Sequence, residues 1–185
     1  MKPSAAGLLL LLLAAQPAVA GQAAGAKHCA MLLQERLKTD LRLTEYQFDQ
    51  VDGQGWRRLA HAGCDDETVA LIEAYTATHQ DSGVVLTWHL AQAHAMADKL
   101  PSAIKVGRRA LRQDEDSSGT ATHWNSYVLG TIAFWEGDLE TLRAQLGVLK
   151  TTPNGSVATD SLRRALELLS ACSGYSYTKL AICAR

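Results

Sequence analysis

Residues 84–111, VVLTWHLAQAHAMADKLPSAIKVGRRAL, and residues 123–149, HWNSYVLGTIAFWEGDLETLRAQLGVL, decide the fold. The two stretches superpose. Each carries a large–small pair in its first half, Leu90-Ala91 and Leu129-Gly130. Twelve positions after the small residue comes an apolar one, Ala103 or Leu142, and seven further on another, Ala110 or Leu149. Apolar residues at such spacings lie on one face of an α-helix. The small residue lets a second helix come close, and the later pair faces back across a turn. The pattern is that of a two-helix hairpin, which buries its faces by stacking on neighbouring hairpins.

Helical signals continue on both sides with no strand pattern between them. Upstream, Met31, Leu32, Leu33 and Leu37 recur at helical spacing, and Thr44 is placed to cap a segment with Tyr46, Phe48 and Val51. Gly53 and Gly55 interrupt the chain before Trp56, and Gly63 ends the next piece. Asp65 or Asp66 then reads as the cap of a helix holding Val69, Leu71, Ile72 and Tyr75, with acid in its first turn where the helix dipole favours it. Downstream, Pro101 suits the first turn of a helix, and Asp138 precedes the stripe Leu139, Leu142, Leu146 and Leu149. Thr151–Ser156 reads as a loop, and a last helix spans about residues 157–171.

The N-terminus has three regions of its own. Lys2 supplies a positive charge, Leu8–Leu13 is an unbroken leucine run, and Ala18-Val19-Ala20 is the small-x-small pattern of signal-peptide cleavage. The apolar run falls short of the roughly 20 residues of a transmembrane helix. Residues 1–20 are therefore expected to be a cleaved signal peptide, residues 21–26 a mobile mature N-terminus, and residues 27–185 one helical domain in a periplasmic or secreted protein. The full chain carries a formal charge of −1; without Lys2 the balance is 17 basic against 19 acidic residues. That gives no electrostatic case for nucleic acid, and no later segment calls for membrane insertion.

The cysteines are Cys29, Cys64, Cys172 and Cys183. An even number in an exported chain points to two disulfides, and three pairings are open. Proximity favours Cys172–Cys183, with Cys29–Cys64 as the remainder; buried free thiols are the alternative.

Residues 84–115 and 123–154 resemble tetratricopeptide repeats, most clearly at Leu129-Gly130, Gly137 and Pro153. Residues 53–80 read as a third, degenerate unit, and residues 157–171 as a C-terminal capping helix. The first window departs from the family with His94 where an aromatic is usual and Gly107 where a large apolar residue is common. The chain is also similar to exported bacterial helical-repeat proteins, from which no activity transfers. The resemblance implies an all-α, tetratricopeptide-like stack of antiparallel helix hairpins whose first helices line a concave groove. By that register Trp88, Gln92, Trp124, Tyr127, Thr131 and Trp135 face the groove. Measured from the Leu129 direction at 100° per residue, Trp124 and Trp135 fall away from the seam and are the expected exposed aromatics. Tyr127 falls nearer the core.

No catalytic set emerges, and no motif calls for a cofactor or a metal. His89 and His94 lie five residues apart and share no helical face, and no H-E-x-x-H, nucleotide-loop or nucleophile-elbow pattern occurs. Asp65-Asp66-Glu67 reads as helix-terminal acid, and Arg108, Arg109 and Arg112 as a solvated basic face. The expected function is non-catalytic binding of another protein or peptide in the cell envelope. A small-ligand binder or enzyme using a pocket among Trp88, His89 and Trp135 is the second reading, and a structural subunit of an envelope assembly the third. Mass spectrometry of the exported protein is expected to find Gly21 at its N-terminus; an exported product that starts at Met1 would overturn the signal-peptide reading.

Overall fold

The computed structural model describes residues 17–115, 123–151 and 157–184, with the backbone alone for residues 17–24. Residues 1–16, which hold most of the expected signal peptide, residues 152–156 of the expected loop, and residues 116–122 and 185 lie outside the described residues. Among the described residues the secondary structure is entirely helical, with no strand. The α-helices are α1 (Pro17–Thr39), α2 (Glu45–Asp49), α3 (Arg57–His61), α4 (Asp65–Thr78), α5 (Val84–Met96), α6 (Leu100–Arg109), α7 (Trp124–Glu136), α8 (Leu139–Thr151), α9 (Val157–Ala171) and α10 (Leu180–Cys183). Short 3-10 turns occupy Asp40–Arg42 and Tyr177–Lys179.

Two expectations about local structure are corrected. Residues 21–26, read as a mobile segment, lie within α1, where Ala23, Ala24 and Ala26 favour helix against Gly21 and Gly25. Asp65 does not cap α4: Cys64 holds that position without a side-chain hydrogen bond, and Asp65, Asp66 and Glu67 occupy the first turn. The Thr44 cap forms as a reciprocal box, with Gln47 N–H donating to Thr44 Oγ1 and Thr44 N–H to Gln47 Oε1. Asp138 likewise accepts from the Thr141 backbone N–H at 3.0 Å.

The two stretches that carry the pattern form the helix pairs α5–α6 and α7–α8, each packed in close antiparallel contact. Ala91, Ala103, Ala110 and Leu142 are fully buried, and Leu149 nearly so. Gly130 shows why its position is small: a Cβ there would lie 2.6 Å from Leu166 Cδ1 of α9 and 3.2 Å from Gln145 Cβ of α8. The two departures from the repeat pattern also have physical reasons. Gly107 leaves the space that the Trp88 ring and Ile132 fill, at 3.2 and 3.3 Å from where its Cβ would stand. His94 is buried, with Nε2 3.6 Å from Glu73 Oε1 and its pKa lowered by burial.

Two apolar clusters meet on α5. Trp88, Ala91 and Ala95 face α6–α9, together with Val128, Ile132, Leu142 and Leu166. Leu86, Leu90 and Ala93 face the other way, toward Phe48, Leu59, Leu71, Ile72 and Tyr75. The disulfides are Cys29–Cys64, joining α1 to the start of α4, and Cys172–Cys183, folding the C-terminal turn back. Tyr177 and Leu180 then pack on the first cluster.

The groove aromatics require the largest correction. Trp88, Trp124, Thr131 and Trp135 are 2%, 9%, 1% and 6% exposed, so none offers a binding surface. Trp124 donates its indole N–H to the Ala110 carbonyl at 2.8 Å, and Trp88 stacks on Trp135 with ring centres 5.4 Å apart. The error lies in the reference direction. Leu129 is only half-buried, whereas Trp124, Val128 and every residue from Gly130 to Trp135 are buried, so the second half of α7 is enclosed on all sides. Trp124→Ala is therefore expected to cost roughly 3–5 kcal/mol of stability, as deletion of a buried aromatic does; chemical denaturation reads this directly, and an unchanged midpoint would return Trp124 to the surface.

Candidate functional site

The site begins with a carboxylate that ought not to be buried. Asp49, the last residue of α2, is 2% exposed. A charge so placed must be matched by donors. Trp56 supplies its indole N–H to Asp49 Oδ1 at 2.9 Å, Gln50 donates to Oδ2 at 2.5 Å, and His89 Nδ1 lies 2.6 Å from Oδ1. Arg57 Nε donates to the Asp49 backbone carbonyl at 2.8 Å. Burial opposes ionisation of Asp49, but the hydrogen bonds and charge of His89, with those of Trp56 and Gln50, outweigh it and hold the carboxyl below its usual value of 3.8.

The chain reaches this arrangement through Gly55. Its φ is +49°, and a Cβ there would overlap the Phe48 carbonyl. The backbone turns back at that contact and sets Trp56 over Asp49. The glycines that read as a helix break are thus the bend that builds the site.

An ionised Asp49 can only accept, so His89 carries its proton on Nδ1 and leaves Nε2 as an acceptor when neutral. His89, Gln92, Ala93 and Met96 follow one another at helical spacing on one face of α5 and line a half-open pocket of about 240 Å³. Trp56 and Ala60 form a second wall, Asp65 and Thr68 of α4 a third, and Tyr177 of the C-terminal turn closes the fourth. The Trp56 and His89 rings are 5.4 Å apart and tilted.

Behind the pocket Gln92 donates to the hydroxyls of Tyr127 and Tyr177 at 3.3 and 3.2 Å, and Trp88 donates to Tyr127 at 3.4 Å. Burial raises the pKa of both tyrosines, so they stay neutral hydrogen-bonding groups. Burial, then the charges of Asp66 and Glu67, raise that of Asp65.

Of the six residues expected to line a groove, Gln92 borders the pocket and Tyr127 stands in its supporting shell; Trp88, Trp124, Thr131 and Trp135 belong to the core. Of the three residues named for a ligand pocket, His89 lines this one, Trp135 borders a separate hollow with Phe134 and Tyr177, and Trp88 belongs to the core. Asp49, Trp56, Met96 and Tyr177 were not singled out as site residues from the sequence. The basic cluster is largely engaged within the protein, with Arg108 paired to Glu136 at 2.8 Å and Arg112 stacked over Trp124 at 4.9 Å. A grouping of Cys29, Cys64 and Glu67 has metal-like spacing, but the two sulfurs are bonded to each other.

The chain matches no family model, and comparison with curated proteins and with solved structures gives no match either.

Asp49→Ala strands the Trp56 and His89 donors and is expected to cost about 2–3 kcal/mol at neutral pH. Because the folded-state pKa is depressed, the parent's advantage is present above pH 3.8 and is lost as pH falls through the lower folded value. Denaturation of both proteins from pH 7 down to about pH 2 should show the difference shrinking only below the ordinary carboxylate range; a difference independent of pH would mean that Asp49 is not ionised in the folded protein.

Proposed function

We propose that the protein is an exported, non-catalytic binding protein, built as a tetratricopeptide-like stack of helix hairpins, whose site is the pocket at His89. The observation that carries this reading is the pocket's construction. Apolar walls from Trp56, Ala60, Ala93 and Met96 surround a few fixed polar groups, as in small-ligand sites. His89, Gln92 and Thr68 are each held by hydrogen bonds to other residues, so most of the cavity's polar lining is set before a ligand arrives.

Export is supported by the two disulfides, which persist in oxidising compartments, together with the absence among the described residues of a helix long and apolar enough to cross a membrane. Burial of the groove tryptophans takes away the aromatic surface on which protein or peptide recognition rested, and a half-open pocket favours a small ligand instead.

One observation favours a second reading. Asp49 orients His89 as a buried acid orients the base of a hydrolase. The lining offers no partner for such a base: Thr68 is 2% exposed and its hydroxyl donates to the Cys64 carbonyl at 2.9 Å. Binding without turnover is the simpler use of the geometry.

A fragment titration followed by NMR tests the assignment. Neutral single-ring compounds are expected to shift the Trp56 indole N–H, the His89 ring and the Met96 methyl. Ala93→Leu, or Met96→Trp should the first fail to fold, narrows the pocket and should abolish those shifts. Shifts that survive in a folded variant, or that cluster elsewhere, would overturn the site.

A further inference from the structure

The pocket's donors and acceptors are badly unbalanced. Trp56 N–H and His89 Nδ1–H are committed to Asp49, and the Thr68 hydroxyl to the Cys64 carbonyl. Both amide N–H groups of Gln92 are taken by the Tyr127 and Tyr177 hydroxyls. What these side chains retain is acceptor capacity, at Gln92 Oε1 and, with the ring neutral, at His89 Nε2, beside the Asp65 carboxylate. Among the lining residues the Tyr177 O–H is the donor left over, and no lysine or arginine is present.

The approach carries the same sign. An open hollow of about 570 Å³ adjoins the pocket and shares Asp65 and Met96 with it. It is bordered by Asp66, Glu67, Asp98 and His28 as well, and among the described residues no lysine or arginine lines it. Lys99 answers one of these acids, with Nζ 2.6 Å from Asp66 Oδ1, and the remainder stay in excess. Arg57 lies over the Trp56 ring at 4.5 Å but lines neither hollow.

An acceptor-rich pocket behind an acidic entrance selects for a cation, and its aromatic walls add the attraction of a ring face for positive charge. Size narrows the class. An apolar cavity of about 150 Å³ takes up benzene, so a pocket of about 240 Å³ has room for one ring and a short arm. We infer that the pocket binds a small organic amine, a single ring on a short arm ending in a protonated nitrogen, with the ring among Trp56, Met96 and Tyr177 and the ammonium group at Asp65. The inference rests on the ligand-binding reading above and adds the charge and size of the ligand. A carboxylate or phosphate ligand would meet the Asp65 carboxylate and the Gln92 carbonyl.

Three probes of one shape separate the terms: 2-phenylethylamine, 2-phenylethanol and 3-phenylpropionate, each titrated against the full mature protein and read at the Trp56 indole N–H. The amine is expected to bind about tenfold more tightly than the alcohol, the sum of a partly exposed ion pair and a cation–aromatic contact, and the carboxylate more weakly than either. Asp65→Asn, with its fold checked by thermal melting, should remove most of the amine's advantage while leaving the alcohol unchanged. Equal binding of alcohol and amine, or a preference that survives Asp65→Asn, overturns the inference and leaves the pocket standing. Failure of all three probes to move the Trp56 signal overturns both.

Discussion

Helix α5 is buried on two opposite faces, and the rest of the molecule is arranged around that fact. Leu86, Trp88, Leu90, Ala91, Ala93, His94 and Ala95 are all buried along its length. A helix with apolar residues on opposite faces must be covered on both. One side is covered by α6 and, beyond it, α7 to α9; the other by α4 with the elements that lean on it. The alanines make this possible. Ala91 and Ala95 let α6 approach on one side, and Ala93 leaves room on the other, where the space is not filled by protein and becomes the pocket. The cavity is thus a consequence of where α5 is small.

The hairpin frame was legible because its signal is local. Small–large spacing repeats within about 20 residues, and Gly130 and Gly137 sit where close approach and a left-handed turn require them. The outward direction of each helix was not legible in the same way. An angle measured on a helical wheel needs a reference, and Leu129 was a poor one. α7 touches α6, α8 and α9, so most of its circumference is interior. Periodicity reports that one face is apolar, but not how many neighbours cover the others. Trp124 and Trp135 looked free in a picture with one seam and are enclosed in a fold that has three.

The site was hidden for a different reason: its parts come from distant segments. Asp49 and His89 are 40 residues apart, and Gln92 and Tyr177 are 85 apart. No spacing rule connects them. Gly53-Gln54-Gly55 was visible as a break, yet nothing local says that the bend at Gly55 lays Trp56 against a buried acid. Asp65 was read through its nearest neighbours as helix-terminal acid, which it is; that the same carboxylate also borders a cavity is a fact of tertiary packing. The second reading, which placed His89 beside a pocket, was nearer, but it drew its companions from the core tryptophans.

The two disulfides have a role in this geometry that goes beyond general stability. On a chain-entropy basis, loops of 11 and 35 residues contribute about 3 and 4 kcal/mol. Their placement matters more. Cys29–Cys64 fixes α1 to the residue just before Asp65, and so holds the wall made by α3 and α4. Cys172–Cys183 encloses the turn that carries Tyr177, and so holds the opposite wall. The α10 segment is only four residues long and its side chains are largely exposed, so apolar burial by itself would anchor that wall weakly. With both links in place, each wall is tied to an element packed on one of the two cores. A ligand entering such a site has little protein motion to order, and the polar groups of His89 and Gln92, held by Asp49 and by the two tyrosine hydroxyls, are not free to rearrange around the wrong one.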